Sequence, residues 1–237
     1  MALPMMKTPV YNVTIPSSNK QVNFRPFLVK EEKALLIAQE SEDTKVMVDT
    51  LKSIILSCIQ GDIDPNELAI FDYEYLFTQI RAKSVGEISE LVFLCDTCTD
   101  EKARIVKQID ISKSEVVVPD KHIKKIDLFD DVGVMMKYPN LDTLQKIEKM
   151  QKGDINIIFD LVGDCIEYIY NSTEVFHIKE QSKEDITKFL ENLTQEQFGK
   201  LEAFFNYMPK LSQKVEYDCP VCNKHHDKVL EGINYFF

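Results

Sequence analysis

The sequence predicts an α+β fold, helices packed with short antiparallel β-hairpins, on three observations. Short stretches alternate apolar and polar residues between turn-forming clusters, as at 11–15 and 21–27 around Pro16-Ser17-Ser18-Asn19-Lys20. Longer stretches carry apolar residues at helical spacing: Met47, Leu51, Ile54, Ile55 and Cys58 make one stripe. Two Cys-x-x-Cys turns, Cys95-Asp96-Thr97-Cys98 and Cys219-Pro220-Val221-Cys222, each follow one alternating run and precede another. Each pair is therefore expected at a hairpin tip. Two such knuckles facing each other supply four thiolates, the donor set of a tetrahedral zinc, in a zinc-ribbon-like site.

In chain order, the opening hairpin ends near Pro26, which suits an edge or a strand end. Residues 30–39 are rich in helix formers, and a longer helix is expected over 46–60, ended by Gly61. Cys58 lies on the apolar stripe of that helix and reads as a buried, inert thiol. Asp64-Pro65 has the form of an N-cap followed by a first-turn proline. Residues 71–83 form the next helix, with Leu76, Phe77 and Ile80 inward. Strands follow at 85–94 and 103–111 around the first knuckle, then a short strand at 116–119 and a hairpin over 124–128 and 132–138. The second half reads as helical. Its expected helices are 141–150, 155–170 with a stripe through Ile158, Leu161, Val162, Cys165 and Ile169, one capped by Ser182, and one opened by a Thr194/Gln197 capping box. Strands at 214–217 and 228–234 flank the second knuckle.

The chain of 237 residues divides on this reading into an N-terminal half, 1–140, and a C-terminal half, 141–237, joined as one compact unit. Both halves run helix with an apolar-face cysteine, further helix, strand, Cys-x-x-Cys and return strand, an order that suggests a diverged duplication. Recurrence of common elements explains the same order without one.

A net charge of −11 and a pI near 4.9 argue against the clustered cations that bind nucleic acid or anionic membranes. No apolar run has the length of a membrane-spanning helix, and residues 1–10 show no continuous apolar signal segment. Seven glycines and no phosphate-loop or dinucleotide pattern argue against a nucleotide fold. With no secretion signal, six cysteines of which four stand in Cys-x-x-Cys pairs point to metal binding in a reducing compartment. The metal ligands expected are Cys95, Cys98, Cys219 and Cys222, sharing one structural zinc. The wide gap between the pairs leaves open two separate sites, the second completed by His225 or His226, as well as disulfides or free thiols.

No enzyme is expected. His122, His177, His225 and His226 have no recognisable partner pattern, and the Asp72/Glu74 and Asp130/Asp131 clusters suit helix starts and turns. Three segments carry a resemblance: Phe24-Arg25-Pro26-Phe27-Leu28-Val29-Lys30-Glu31-Glu32-Lys33-Ala34-Leu35-Leu36-Ile37-Ala38; Phe71-Asp72-Tyr73-Glu74-Tyr75-Leu76-Phe77-Thr78-Gln79-Ile80-Arg81-Ala82-Lys83-Ser84-Val85-Gly86-Glu87; and Val132-Gly133-Val134-Met135-Met136-Lys137-Tyr138-Pro139. In this order they resemble the baseplate hub proteins of T-even-type contractile-tail bacteriophages. The resemblance implies a non-enzymatic hub subunit or hub assembly factor that binds other phage baseplate hub proteins. Its place would be the host cytoplasm during assembly or the virion tail baseplate. Two rivals remain at this point: a zinc-ribbon protein contacting nucleic acid or the transcription machinery, and an enzyme using a Cys-x-x-Cys thiol, which zinc-bound thiolates would exclude.

Overall fold

The computed structural model describes residues 7–98, 101–143 and 155–232. The chain falls into two compact units, one made of residues 1–117 and 210–237, the other of 118–209. This differs from the division at residue 140 expected from sequence. The reason is strand pairing: residues 210–212 return to pair with 115–117, so the C-terminal hairpin belongs with the N-terminal elements.

In the first unit, β1 (Tyr11–Thr14) and β2 (Gln21–Phe24) pair antiparallel with Val13 opposite Val22. Asn19 takes the left-handed conformation that closes their turn. Helix α1 (Val29–Glu40) follows, then α2 (Thr44–Cys58), whose first N–H groups are capped by the Asp43 carboxylate. The apolar stripe of α2 ends in the buried Ile54, Ile55 and Cys58. The helix stops at Cys58, two residues short of the expected end. Ile59 is extended, and β3 (Ile59–Gln60) pairs with Asn23 and Phe24. Asp64 and Pro65 open a 3-10 turn, Pro65–Glu67, not a helix. Helix α3 (Ile70–Ser84) buries Leu76, Phe77 and Ile80 as its periodicity requires. The long hairpin β4 (Ile88–Leu94) with β5 (Arg104–Asp110) carries the first knuckle. Strand β6 (Glu115–Val117) completes this part of the chain.

In the second unit, β7 (Lys125–Phe129) and β8 (Val132–Met136) form a hairpin closed by Asp130-Asp131. Residues 141–143 are helical; the rest of the expected 141–150 helix lies outside the described residues. Helix α4 (Ile155–Asp164) ends early, and Ile166–Tyr170 is strand β9, not the continuation of a helix to residue 170. Gly163 and Asp164 are poor helix formers, and the Ile-Glu-Tyr-Ile-Tyr run prefers an extended chain. β10 (Val175–His177) follows, and the sheet order is β10-β9-β8-β7. Helices α5 (Lys183–Glu191) and α6 (Gln195–Asn206) begin at the expected caps, Ser182 and Thr194. The core joins Ile126, Val134 and Met136 of the sheet to Val162, Cys165, Leu190, Leu201 and Phe204. Ile158 stays 45% exposed, so the buried part of the expected α4 stripe is its C-terminal end.

The final hairpin, β11 (Lys210–Asp218) and β12 (His225–Glu231), returns to the first unit in the order β12-β11-β6.

Two stretches of the chain share part of their element order. Each module has a hairpin, later a helix with a fully buried cysteine at or just after its end (α2 with Cys58, α4 with Cys165), then a strand pairing with the hairpin's second strand; α1 intervenes in the first. The junction is fastened alike: Arg25 N–H donates to the Cys58 carbonyl at 2.9 Å, and Lys137 N–H to the Cys165 carbonyl at 2.8 Å. Each module then has a 3-10 turn (Pro65–Glu67 or Ile178–Glu180), an N-cap two residues on (Ala69 or Ser182), and an aspartate at the third helical position (Asp72 or Asp185).

Candidate metal centre

The alternation along β4–β5 sends Phe93 and Ile109 to one face, where they pack on Val215, Tyr217 and Leu230 of β11–β12. Phe93 stacks on Tyr217 with centroids 4.7 Å apart. Burying these faces against each other sets the two hairpins side by side within the first unit, so both tips fall at the same end. β4 ends at Leu94 and presents Cys95; β11 ends at Asp218 and presents Cys219.

The second knuckle is a closed turn. Cys219 N–H donates to the Lys224 carbonyl and Asn223 N–H to the Cys219 carbonyl, both at 2.9 Å, with Asn223 at φ 54°. Val221 N–H points at Cys219 Sγ from 3.4 Å. In the first knuckle, Thr97 Oγ1 lies 3.1 Å from Cys95 Sγ. Across the tips, Cys95 Sγ is 3.8 Å from Cys222 Sγ, and Cys98 Sγ is 3.9 Å from Cys219 Sγ. All four sulfurs lie within 4.8 Å of one another, although Cys98 and Cys219 are 121 positions apart. Sulfurs bound tetrahedrally to zinc at about 2.3 Å stand about 3.8 Å apart, so the donor set and its spacing fit that ion. Cys219 is fully buried, Cys95 nearly so, and Cys222 lies at the surface.

The electrostatics describe thiols crowded for a cation. The Thr97 hydroxyl and amide, with other donors, bring Cys95 down to about 5. The Lys224 amide, aided by Cys98 and Thr97, lowers Cys222. The neighbouring Cys222 sulfur first, then burial and the other two sulfurs, push Cys98 up to about 12. Some thiols are ready to ionise, while their negative charge keeps a neighbour protonated. A divalent cation relieves that repulsion.

A polar fringe surrounds the sulfurs. Lys224 joins Asp96 across the tips at 2.9 Å. His226 is buried, stacks on Tyr217 at 4.9 Å, and places Nδ1 3.8 Å from Asp96 Oδ1. With Cys95 and Asp96 it forms a second cluster of potential ligand atoms, and its Nε2 has no hydrogen-bond partner among the described residues. The sequence reading placed His226 only in a separate C-terminal site. Its position beside Cys95 follows from the register that pairs it with Tyr217, which no spacing in the sequence reveals. His225 points elsewhere, its Nδ1 2.7 Å from Asp218 at the surface. Cys58 and Cys165 lie at the ends of α2 and α4 and take no part; burial pushes the Cys58 thiol up despite Arg25 nearby. Of the basic residues in the resembling segments, Arg25 pairs with Glu31 at 3.0 Å and Lys83 with Glu87.

Fold and site together define an α+β protein whose two hairpins meet at a four-cysteine cluster. Residues 8–237 match the family model described as T4 bacteriophage base plate protein, and the chain belongs to that family. No individual curated protein and no solved structure matches it. None of the described helices is long and apolar enough to cross a membrane.

Proposed function

We propose that this baseplate-family chain is a structural or assembly protein of the baseplate hub that acts by binding other baseplate proteins and has no catalytic role. The observation that carries the reading is the family match over nearly the whole chain. Cys95, Cys98, Cys219 and Cys222 hold one zinc in this reading, and the 4.8 Å sulfur cluster supports it. When bound, zinc supplies a closed cross-link with no open coordination position. The net charge of −11 favours a protein partner over a polyanion.

The test is co-expression of the tagged chain with the baseplate proteins of its phage, followed by mass spectrometry of what co-purifies. Hub proteins in stoichiometric amount are expected. Recovery of nucleic acid or polymerase subunits in their place would overturn the reading. Mass spectrometry of purified virions separates a retained subunit, present in every particle, from an assembly factor, which is lost.

A further inference from the structure

The two modules differ in α1, found only in the first, in β10, found only in the second, and in the length of the hairpin loop, and the last difference bears on an open surface. In the first module the β1–β2 loop, residues 15–20, folds onto the start of α3. Ile15 is 2% exposed, and Ser17 donates its N–H at 2.9 Å and its hydroxyl at 2.5 Å to the fully buried Asp72. In the second module the hairpin turn is only Asp130-Asp131, too short to make the same excursion. Asp185 holds the position of Asp72, after an equivalent 3-10 turn and spacer, but the hydroxyl it receives is that of its own N-cap, Ser182, at 2.6 Å. Asp185 borders an open groove of about 330 Å³, lined also by Phe129 and Val132 at the turn end of the β7–β8 hairpin, by Ile169 and Phe176 of β9 and β10, and by Phe189. Phe129 and Phe176 remain 43% and 38% exposed.

We propose that this groove docks a turn of a partner protein that presents an aliphatic side chain followed two residues later by serine or threonine. The first module suggests that chemistry, since there Ile15 is buried and Ser17 bonds Asp72, the residue at the same helical position as Asp185. The aliphatic group enters the apolar walls, and the hydroxyl and its amide donate to the Asp185 carboxylate. The adjacent acidic turn, Asp130-Asp131, suits a neutral or basic segment and opposes an acidic one. The inference rests on the reading of the chain as a protein-binding baseplate component, and it names the kind of surface that component would grip.

The probe is a disulfide-cyclised peptide carrying residues 14–21 of this chain, titrated into the full-length protein and followed by amide NMR. Saturable shifts are expected at Phe129, Phe176 and Phe189. Replacing the peptide's Ser17 by alanine, or Asp185→Asn in the chain, is expected to weaken binding about tenfold, the worth of one charge-assisted hydrogen bond. The peptide substitution needs no change to the protein, so a poorly folding Asp185→Asn chain does not remove the test. No saturable shift at about 5 mM, the weak end of specific recognition, overturns the proposal, as does equal binding of the alanine peptide. A concentration-dependent dimer dissociated by Phe176→Asp would assign the groove to a second copy and likewise overturn it. Loss of peptide binding leaves co-purification with hub proteins untouched, so failure here is distinguishable from failure of the functional reading.

Discussion

Glu31 and Asp72 hold the same helical position, third in α1 and third in α3, and each carboxylate takes an amide three residues back: Leu28 N–H at 2.7 Å and Ala69 N–H at 2.8 Å. Both are buried, yet their acidities move in opposite directions. Burial raises Asp72 above its ordinary value, and the Ser17 and Ala69 donors only partly offset it. Burial also works against Glu31, but Arg25 and the Leu28 amide outweigh it and hold the carboxyl below its ordinary value near 4.5. A lowered folded pKa means that Glu31 contributes stability above that ordinary value and loses it as pH falls through the folded one. Urea unfolding of wild type and Glu31→Gln should therefore differ at pH 7 and converge in the acid range below 4.5. Ser17→Ala, which leaves Asp72 buried with fewer donors, should cost about 2 kcal/mol in the same measurement at neutral pH. A cost near zero would mean the loop does not hold Asp72 as described.

Elements were legible in the sequence where chemistry or long periodicity marked them. Ser182 and the Thr194/Gln197 box start helices where their oxygens can take free N–H groups, and the stripe of α3 runs inward as its spacing requires, whereas the Asp43 cap starts α2 earlier than the expected residue 46. The Cys-x-x-Cys pairs announced hairpin tips, because a thiol pair of that spacing suits one tight turn. The short strands β3 and β9 were not legible. Ile59 and Ile166 continue an apolar helical pattern, and only pairing with Phe24 and Met136 decides against a helix. The groove was hidden for another reason: its lining comes from the β7–β8 turn, β9, β10 and α5, segments that only the fold brings together.

Gly133 in β8 shows how tightly that sheet is built. The Tyr170 ring crosses over it to reach Asp127, and a Cβ there would meet the Tyr170 hydroxyl and come within 2.6 Å of the Ile126 carbonyl oxygen. Gly133→Ala should cost about 2 kcal/mol in denaturant unfolding and displace Tyr170, read by its ring NMR signals. Unchanged stability and ring signals would contradict that packing. At the second knuckle, Cys219→Ser should lower zinc content and increase amide exchange along β4–β5, although the substitution lies on β11's end of the fold. Exchange that changes only around residues 218–225 would show two independent knuckles.

At the scale of the whole molecule, residues 118–209 stand as an insertion in a discontinuous first unit. Val117 and Lys210, where the chain leaves and returns, are paired neighbours in β6 and β11. Insertion at such closely spaced ends leaves each unit its own core. The fragment 118–209 should therefore unfold cooperatively by itself, with a midpoint insensitive to chelators. A fragment 1–139 should not, because it cuts the second unit and strips the first of β11, β12, Cys219 and Cys222. A sharp, chelator-sensitive transition in 1–139 would contradict both the partition and the shared site.

We propose one zinc, held by Cys95, Cys98, Cys219 and Cys222, as the cross-link that closes the first unit. X-ray absorption at the zinc edge on the purified chain, with metal content measured on the same sample, tests it most directly. The predicted result is one zinc per chain with four sulfurs at about 2.3 Å and no nitrogen or oxygen in the shell. A chain that takes up no zinc, or one whose zinc shows imidazole or water ligands, would contradict the claim.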